Sequence, residues 1–211
     1  MTRRLALLAL PLLLVATACT ADTETPAPGR QDPAASRPSP FADCATLTSA
    51  PDGAGDDGVP DGSADDRPAG GSRLPELSLT CFTGGAPVAL RDVRGPAVIN
   101  IWASWCPPCR KELPAFQRLS QRADGQLRVI GVNTQDSRAA AQSIGEDFGV
   151  RFPMLVDQGK ALQRELRRNA FPMTVFLDAD GQIRHIDTSG ALDDANLTEL
   201  VQQHLDIAVK A

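Results

Sequence analysis

Trp105-Cys-Pro-Pro-Cys109 joins two segments of different periodicity, and this junction constrains the fold more than any other feature of the chain. Before it, Ala97-Val-Ile-Asn-Ile-Trp102 is an apolar run broken by one Asn, the pattern of a strand buried on both faces. After it, residues 110–119 place Leu113, Phe116 and Leu119 at helical spacing. A strand that passes through Cys-x-x-Cys into a helix puts Cys106 at the helix N-terminus. Unpaired amides and the positive end of the helix dipole there favour a thiolate, the nucleophile of disulfide exchange.

The remaining pattern alternates strands with helices. Residues 74–80 and 87–90, separated by Gly84-Gly85, read as a hairpin. Residues 127–132 form a second buried strand, and 138–148 a helix with Ala140, Ile144 and Phe148 four apart. A short extended piece at 152–156 and a short helix at 160–167 follow. Strands at 173–177 and 182–186 flank the turn Asp178-Ala-Asp-Gly181. Residues 194–205 form a last helix with Leu197, Leu200, Val201 and Leu205 on one stripe. The expected class is α/β, a central mixed sheet flanked by helices, with an N-terminal β-hairpin.

The ends of the chain carry different information. Arg3 and Arg4 precede an uncharged run at 5–18, too short to span a bilayer comfortably, which reads as a signal peptide over 1–18. Ala16-Thr-Ala18 fits an ordinary cleavage site, and with Cys19 it also resembles a bacterial lipobox. Both readings cut before Cys19. Lipid on Cys19 leaves Cys44, Cys81, Cys106 and Cys109, an even number suited to an oxidising compartment. A secreted soluble protein with a free Cys19 is the alternative. Residues 19–72 read as a lipidated N-terminus and disordered linker, with eight Pro and seven Gly between Thr20 and Ser72. The part before Cys44 spans roughly 25–30 Å as a flexible coil. Ten acidic residues against three Arg give this linker a charge of −7, whereas Arg73 to Ala211 carries sixteen of each sign. The acidity belongs to the tether, and no basic patch points to nucleic acid. The folded domain is expected over 73–211.

Two separated segments carry a resemblance to a known family. Val98-Ile-Asn-Ile-Trp-Ala-Ser-Trp-Cys-Pro-Pro-Cys-Arg-Lys-Glu-Leu-Pro114 and Phe171-Pro-Met-Thr-Val-Phe-Leu-Asp-Ala-Asp-Gly181 resemble the thioredoxin superfamily, and within it the TlpA/ResA-like membrane-tethered thiol–disulfide oxidoreductases. The resemblance spans about residues 74–207. It implies a thioredoxin-like fold and a cis bond before Pro172, beside the cysteines, where substrate pairs with exposed backbone. It implies an acid near the dithiol at Glu112, and Asn100 where cytoplasmic relatives carry a buried Asp. It also implies exported disulfide-containing proteins as substrates, apocytochrome c among them. The electron donor or acceptor would be a membrane protein. The place would be the outer face of a bacterial membrane, by a lipid anchor, or a secreted or periplasmic location, as a monomer.

The residues support a matching chemistry. Cys106 is expected to be exposed and partly ionised, to attack a partner disulfide, and Cys109, one turn on and more buried, to resolve the mixed disulfide. Zinc needs two further soft ligands, and no second Cys-x-x-Cys or Cys-x-x-His exists, so neither metal nor cofactor is expected. Pro107 and Pro108 withhold two amides from the Cys106 sulfur, which makes the couple more reducing; Arg110 and Lys111 act in the opposite direction. Glu112 near the thiols would raise their pKa and exchange a proton with them; the alternative is a solvated helix Glu. Trp105, Phe171 and Pro172 are the expected substrate-binding residues. Cys44 and Cys81 are expected to pair, closing a loop of about 36 residues; one of them as a second redox cysteine is the alternative. His185 and His204 have no partner at ligand spacing. An oxidase or isomerase of the same fold is the main competing function. A copper chaperone would need Cys-x-x-x-Cys with a His, and a peroxidase Pro-x-x-x-Thr-x-x-Cys, and neither pattern is present.

Overall fold

The structure, a computed structural model, describes residues 37–49 and 72–209. Its centre is β3 (Ala97–Trp102), buried at every position as its apolar run requires. Parallel β4 (Arg128–Thr134) lies on one side and antiparallel β6 (Met173–Leu177) on the other. β5 (Met154–Asp157) runs parallel to β4. The hairpin of β1 (Ser78–Cys81) and β2 (Val88–Ala89) extends that edge, and β7 (Ile183–Asp187) extends the other. Among the described residues this gives one seven-stranded mixed sheet in the order β2-β1-β5-β4-β3-β6-β7. The helices are α1 (Pro107–Arg122), α2 (Arg138–Asp147), α3 (Ala161–Glu165) and α4 (Asp194–Leu205). These are the predicted elements, with ends shifted by a residue or a few.

Alternation along β3 separates two cores. Val98 and Trp102 pack with Leu113, Phe116 and Leu119 of α1 and Leu197 and Val201 of α4. Ala97, Ile99 and Ile101 face the other way, with Ile130, Val132, Val175 and Leu162 of α3. Asn100 has the parity of Val98 and Trp102, which points its amide at α1. Side chains cap three helix starts. Ser137 accepts from the Ala140 amide and Asp193 from the Asn196 amide, while Asp157 accepts from the amides of Ala161 and Leu162.

The linker reading of residues 19–72 is corrected over 37–49, which packs on the domain. Phe41, Cys44 and Leu47 are buried, the last in a short 3-10 helix, Ala45–Thr48. The Phe41 ring meets the Phe82 ring edge-on at 4.7 Å and lies over Gly145, where an added methyl would meet it at 2.5 Å. Backbone bonds from Ala42 to Arg151 (2.8 Å) and from Arg94 to Leu47 (3.0 Å) anchor the segment, and Cys44 is disulfide-bonded to Cys81 of β1. Composition averaged over the linker conceals two large apolar side chains, Phe41 and Leu47. They find a docking site because a covalent bond brings them to the sheet. Residues 1–36, with the leader and Cys19, and residues 50–71 lie outside the described residues.

Candidate active site

β3 and β4 are parallel neighbours in register, Trp102 beside Asn133, so the loops after them emerge side by side at the carboxyl edge of the sheet. This is where open α/β sheets place their sites. The first loop leads to Cys106, the N-cap of α1, and Pro107 and Pro108 fill the first helical positions, where no amide partner is lost. The first free amide of the helix is therefore that of Cys109, which donates to Cys106 Sγ at 3.2 Å. Cys106 and Cys109 form a disulfide with Cα atoms 5.3 Å apart. Cys109 is fully buried. Cys106 is only 4% exposed, which corrects the expected exposure: closing the bond turns its sulfur back towards Cys109 and the α1 core.

The loop after β4 clamps the loop that carries Cys106. Asp136 accepts from the amide of Ser104 (2.5 Å), the Ser104 hydroxyl (2.6 Å), the Asn133 side-chain amide (2.9 Å) and the Ser137 amide (2.9 Å). Trp105 Nε1 donates to the Gln135 carbonyl at 2.8 Å, from a residue held at a φ of 49°. Sequence reasoning missed Asp136. It belongs to no motif, and its partner lies 32 residues away. With its nitrogen tied down, Trp105 still leaves 53% of its surface exposed, and its ring packs edge-on against Phe171 at 5.2 Å. The bond between Phe171 and Pro172 is cis, as the resemblance implied, and so is that between Gly95 and Pro96. Cys106, Cys109, Trp105, Phe171 and Pro172 thus share one end of the sheet.

Glu112 lies on the buried side of the dithiol helix, one turn past Cys109. It is 1% exposed, which removes the solvated-helix alternative. Asn100 Nδ2 donates to Glu112 Oε1 at 2.5 Å, and the Leu192 amide donates to Oε2 at 3.1 Å. Burial pushes the Glu112 pKa from 4.5 up to about 8. The bonds from Leu192 and Asn100 pull it down, and the charge of Asp187 pushes it further up. Asn100 Oδ1 has no hydrogen-bond partner, so the amide can serve Glu112 in either protonation state: Nδ2 faces the carboxylate, and after a flip Oδ1 accepts from the acid.

A family model described as Redoxin matches residues 69–201. The chain belongs to the redoxin family. The thioredoxin-like protein YneN of Bacillus subtilis is 32% identical over 120 residues, which cover 55% of this chain and 69% of that protein. The thiol-disulfide oxidoreductase ResA of Geobacillus kaustophilus is 28% identical over 138 residues, covering 64% and 76%. A solved structure, a secreted Mycobacterium tuberculosis disulfide oxidoreductase homologous to E. coli DsbE, superposes with a TM-score of 0.55 at 24% identity, covering 61% of this chain and 96% of that one. This redoxin is a thioredoxin-superfamily, ResA-like thiol–disulfide oxidoreductase.

The second disulfide of the redoxin, Cys44–Cys81, is the expected pairing, at a sequence separation of 37. Both residues are buried in the core cluster on the sheet face opposite α1, apart from the dithiol. The histidines, unremarkable in the sequence, stack on one another at 4.0 Å between β7 and α4. Among the described residues no group of three or more His, Cys, Asp or Glu is arranged to hold a metal. None of their helices is long and apolar enough to cross a membrane.

Proposed function

We propose that this redoxin works outside the cytoplasm as a reductase of disulfides in exported proteins, with Cys106 as nucleophile and Cys109 as resolving thiol. The carrying observation is the helix start. Two prolines leave the Cys109 amide as the first helical donor to the Cys106 sulfur. A thiolate with so little amide support is less stable, so the reduced couple gives up electrons more readily.

The Cys106 thiolate attacks one sulfur of the substrate disulfide. A Cys106–substrate bond forms, and the second substrate sulfur leaves and takes a proton. The Cys109 thiolate then attacks Cys106 Sγ, closes the Cys106–Cys109 bond and releases the first substrate sulfur. Two electrons pass to the substrate, and a dithiol donor at the membrane restores them. Glu112, buried one turn from Cys109 with a pKa of about 8, exchanges a proton with that thiol: its carboxylate form accepts the Cys109 proton as the thiol becomes nucleophilic. Trp105, Phe171 and Pro172 form the surface on which the substrate segment lies. Haem-attachment cysteines of apocytochrome c are the substrate class that the resemblance implies. The two disulfides use four of the five cysteines, which supports a thioether-linked lipid on Cys19 as the anchor.

Cys109→Ser produced in cells tests the roles. It should hold Cys106 in mixed disulfides with exported proteins, identified by mass spectrometry, while Cys106→Ser traps none. Equilibration of the wild-type pair with glutathione tests the direction. A potential near that of strong periplasmic oxidants refutes the reductase reading.

A further inference from the structure

From Arg73 onward positive and negative charges balance, so a local excess of one sign is a matter of placement. One such excess lies beside the dithiol. Residues 160–168, which contain α3, carry Lys160, Arg164, Arg167 and Arg168 against a single carboxylate, Glu165. The three arginines are exposed. Among the described residues none of the four cations has an ion-pair partner. Lys160 Nζ donates to Asn169 Oδ1 at 3.1 Å, Arg164 to the Gly159 carbonyl, and Arg168 to the Arg167 carbonyl at 3.4 Å. Only Arg164 of the four lies within α3, so the turns at either end of the helix, not a helix face, gather the cations. The fold keeps these charges close together, with no ion pair to them among the described residues. With Gln163 and Asn169 they line a groove of about 240 Å³.

The groove is joined to the site by ring contacts. Lys160 Nζ lies 5.7 Å from the centre of the Phe171 ring, and that ring packs against Trp105, the neighbour of Cys106. A polypeptide that reaches Cys106 across Phe171 passes the cations. We infer that the groove binds an acidic stretch of the partner polypeptide, close in sequence to the sulfur that reacts with Cys106. This rests on the dithiol exchanging with protein disulfides. Charge complementarity commits the occupant: four cations without an ion-pair partner among the described residues favour carboxylates, and clustered charge of one sign raises the encounter rate of an oppositely charged partner. An anionic membrane would also meet these cations, but it would press Trp105 and Cys106 into lipid and close the dithiol to protein substrates.

The test uses the full chain, reduced, and three disulfide-bonded peptides of one length whose flanking residues are acidic, neutral or basic. Hydroxyethyl disulfide serves as a small uncharged control. The acidic peptide should react fastest, and its kcat/KM should fall as salt rises from 20 to 300 mM, roughly tenfold. Arg167→Glu with Arg168→Glu should lower kcat/KM for the acidic peptide about tenfold and leave hydroxyethyl disulfide unchanged. Equal rates for the three peptides, or an unchanged acidic-peptide rate in the double variant, overturn the inference. So does a recovery of acidic-peptide preference only after Asp52, Asp56, Asp57 and Asp61 are neutralised, which would make the chain's own acidic segment the occupant. Binding to phosphatidylglycerol vesicles that is tight in the wild type and lost in the double variant, without any peptide preference, assigns the groove to lipid and overturns it too. Failure to reduce hydroxyethyl disulfide at all refutes the reductase reading instead.

Discussion

Replacing Glu112 by Gln should abolish a pH dependence of stability that this one carboxyl imposes. In the oxidised protein its pKa is about 8, against an ordinary 4.5. Below 4.5 the group is protonated in both the folded and unfolded chain and contributes nothing. Between the two values the unfolded chain has lost this proton and the folded protein has kept it. The folded state then binds more protons, so stability falls as pH rises, and above 8 the loss is complete. Between pH 5 and pH 8 the loss amounts to about 3–4 kcal/mol. Gln has nothing to ionise and fits the same partners. Its Oε1 accepts from the Leu192 amide, and its Nε2 donates to Asn100 Oδ1, which has no partner in the wild type. Urea unfolding of both oxidised proteins at pH 5, 6, 7 and 8 measures the difference, because every other titrating group cancels between them. The variant should gain steadily over the wild type across that range, without a change in m-value. Parallel curves would show that Glu112 ionises without penalty in the fold, and the burial argument would be wrong.

Removing the second disulfide with Cys44→Ala and Cys81→Ala opens a loop of sequence separation 37 and should cost about 4 kcal/mol in urea unfolding. The dithiol should keep its reactivity, since the two cysteines lie in the other core; an unchanged urea midpoint would show that Phe41 and Leu47 hold residues 37–49 without the bond. Asp136→Ala strands the Ser104 amide and the Asn133 side chain, and should cost about 2–3 kcal/mol. It should also slow reduction of protein disulfides through a looser Trp105; unchanged stability and rate together would remove the clamp from the mechanism.

The dithiol, its strand and its helix were legible because each is a local pattern. An apolar run, a Cys-x-x-Cys turn and a 3.6-residue period are all contained within Ala97–Arg122. The closing hairpin, read as strands at 173–177 and 182–186, was legible for the same reason, through the turn signal Asp178-Ala-Asp-Gly181 between two short runs. Cys44–Cys81 followed from counting cysteines. The packed stretch 37–49 did not, because local composition says how much apolar surface a segment has and not whether a complementary surface awaits it. Phe41 needs the notch at Gly145, which lies 104 residues further along the chain.

By itself the sequence determined the order of elements, the dithiol at a helix start and the pair of prolines that thins its amide support. These rest on neighbours along the chain, where propensity and periodicity act. The tertiary structure alone decided the environment of the reacting groups. It buried Glu112 against Asn100 of β3 and the Leu192 amide before α4, and it hung the Cys106 loop on Asp136 beyond β4. It also brought Phe171, next to the cations of residues 160–168, against Trp105. A pKa or a positioned loop depends on dielectric and donors within a few ångströms. In this fold those groups come from elements 12 to 80 residues apart, and periodicity along the chain does not show which of them meet.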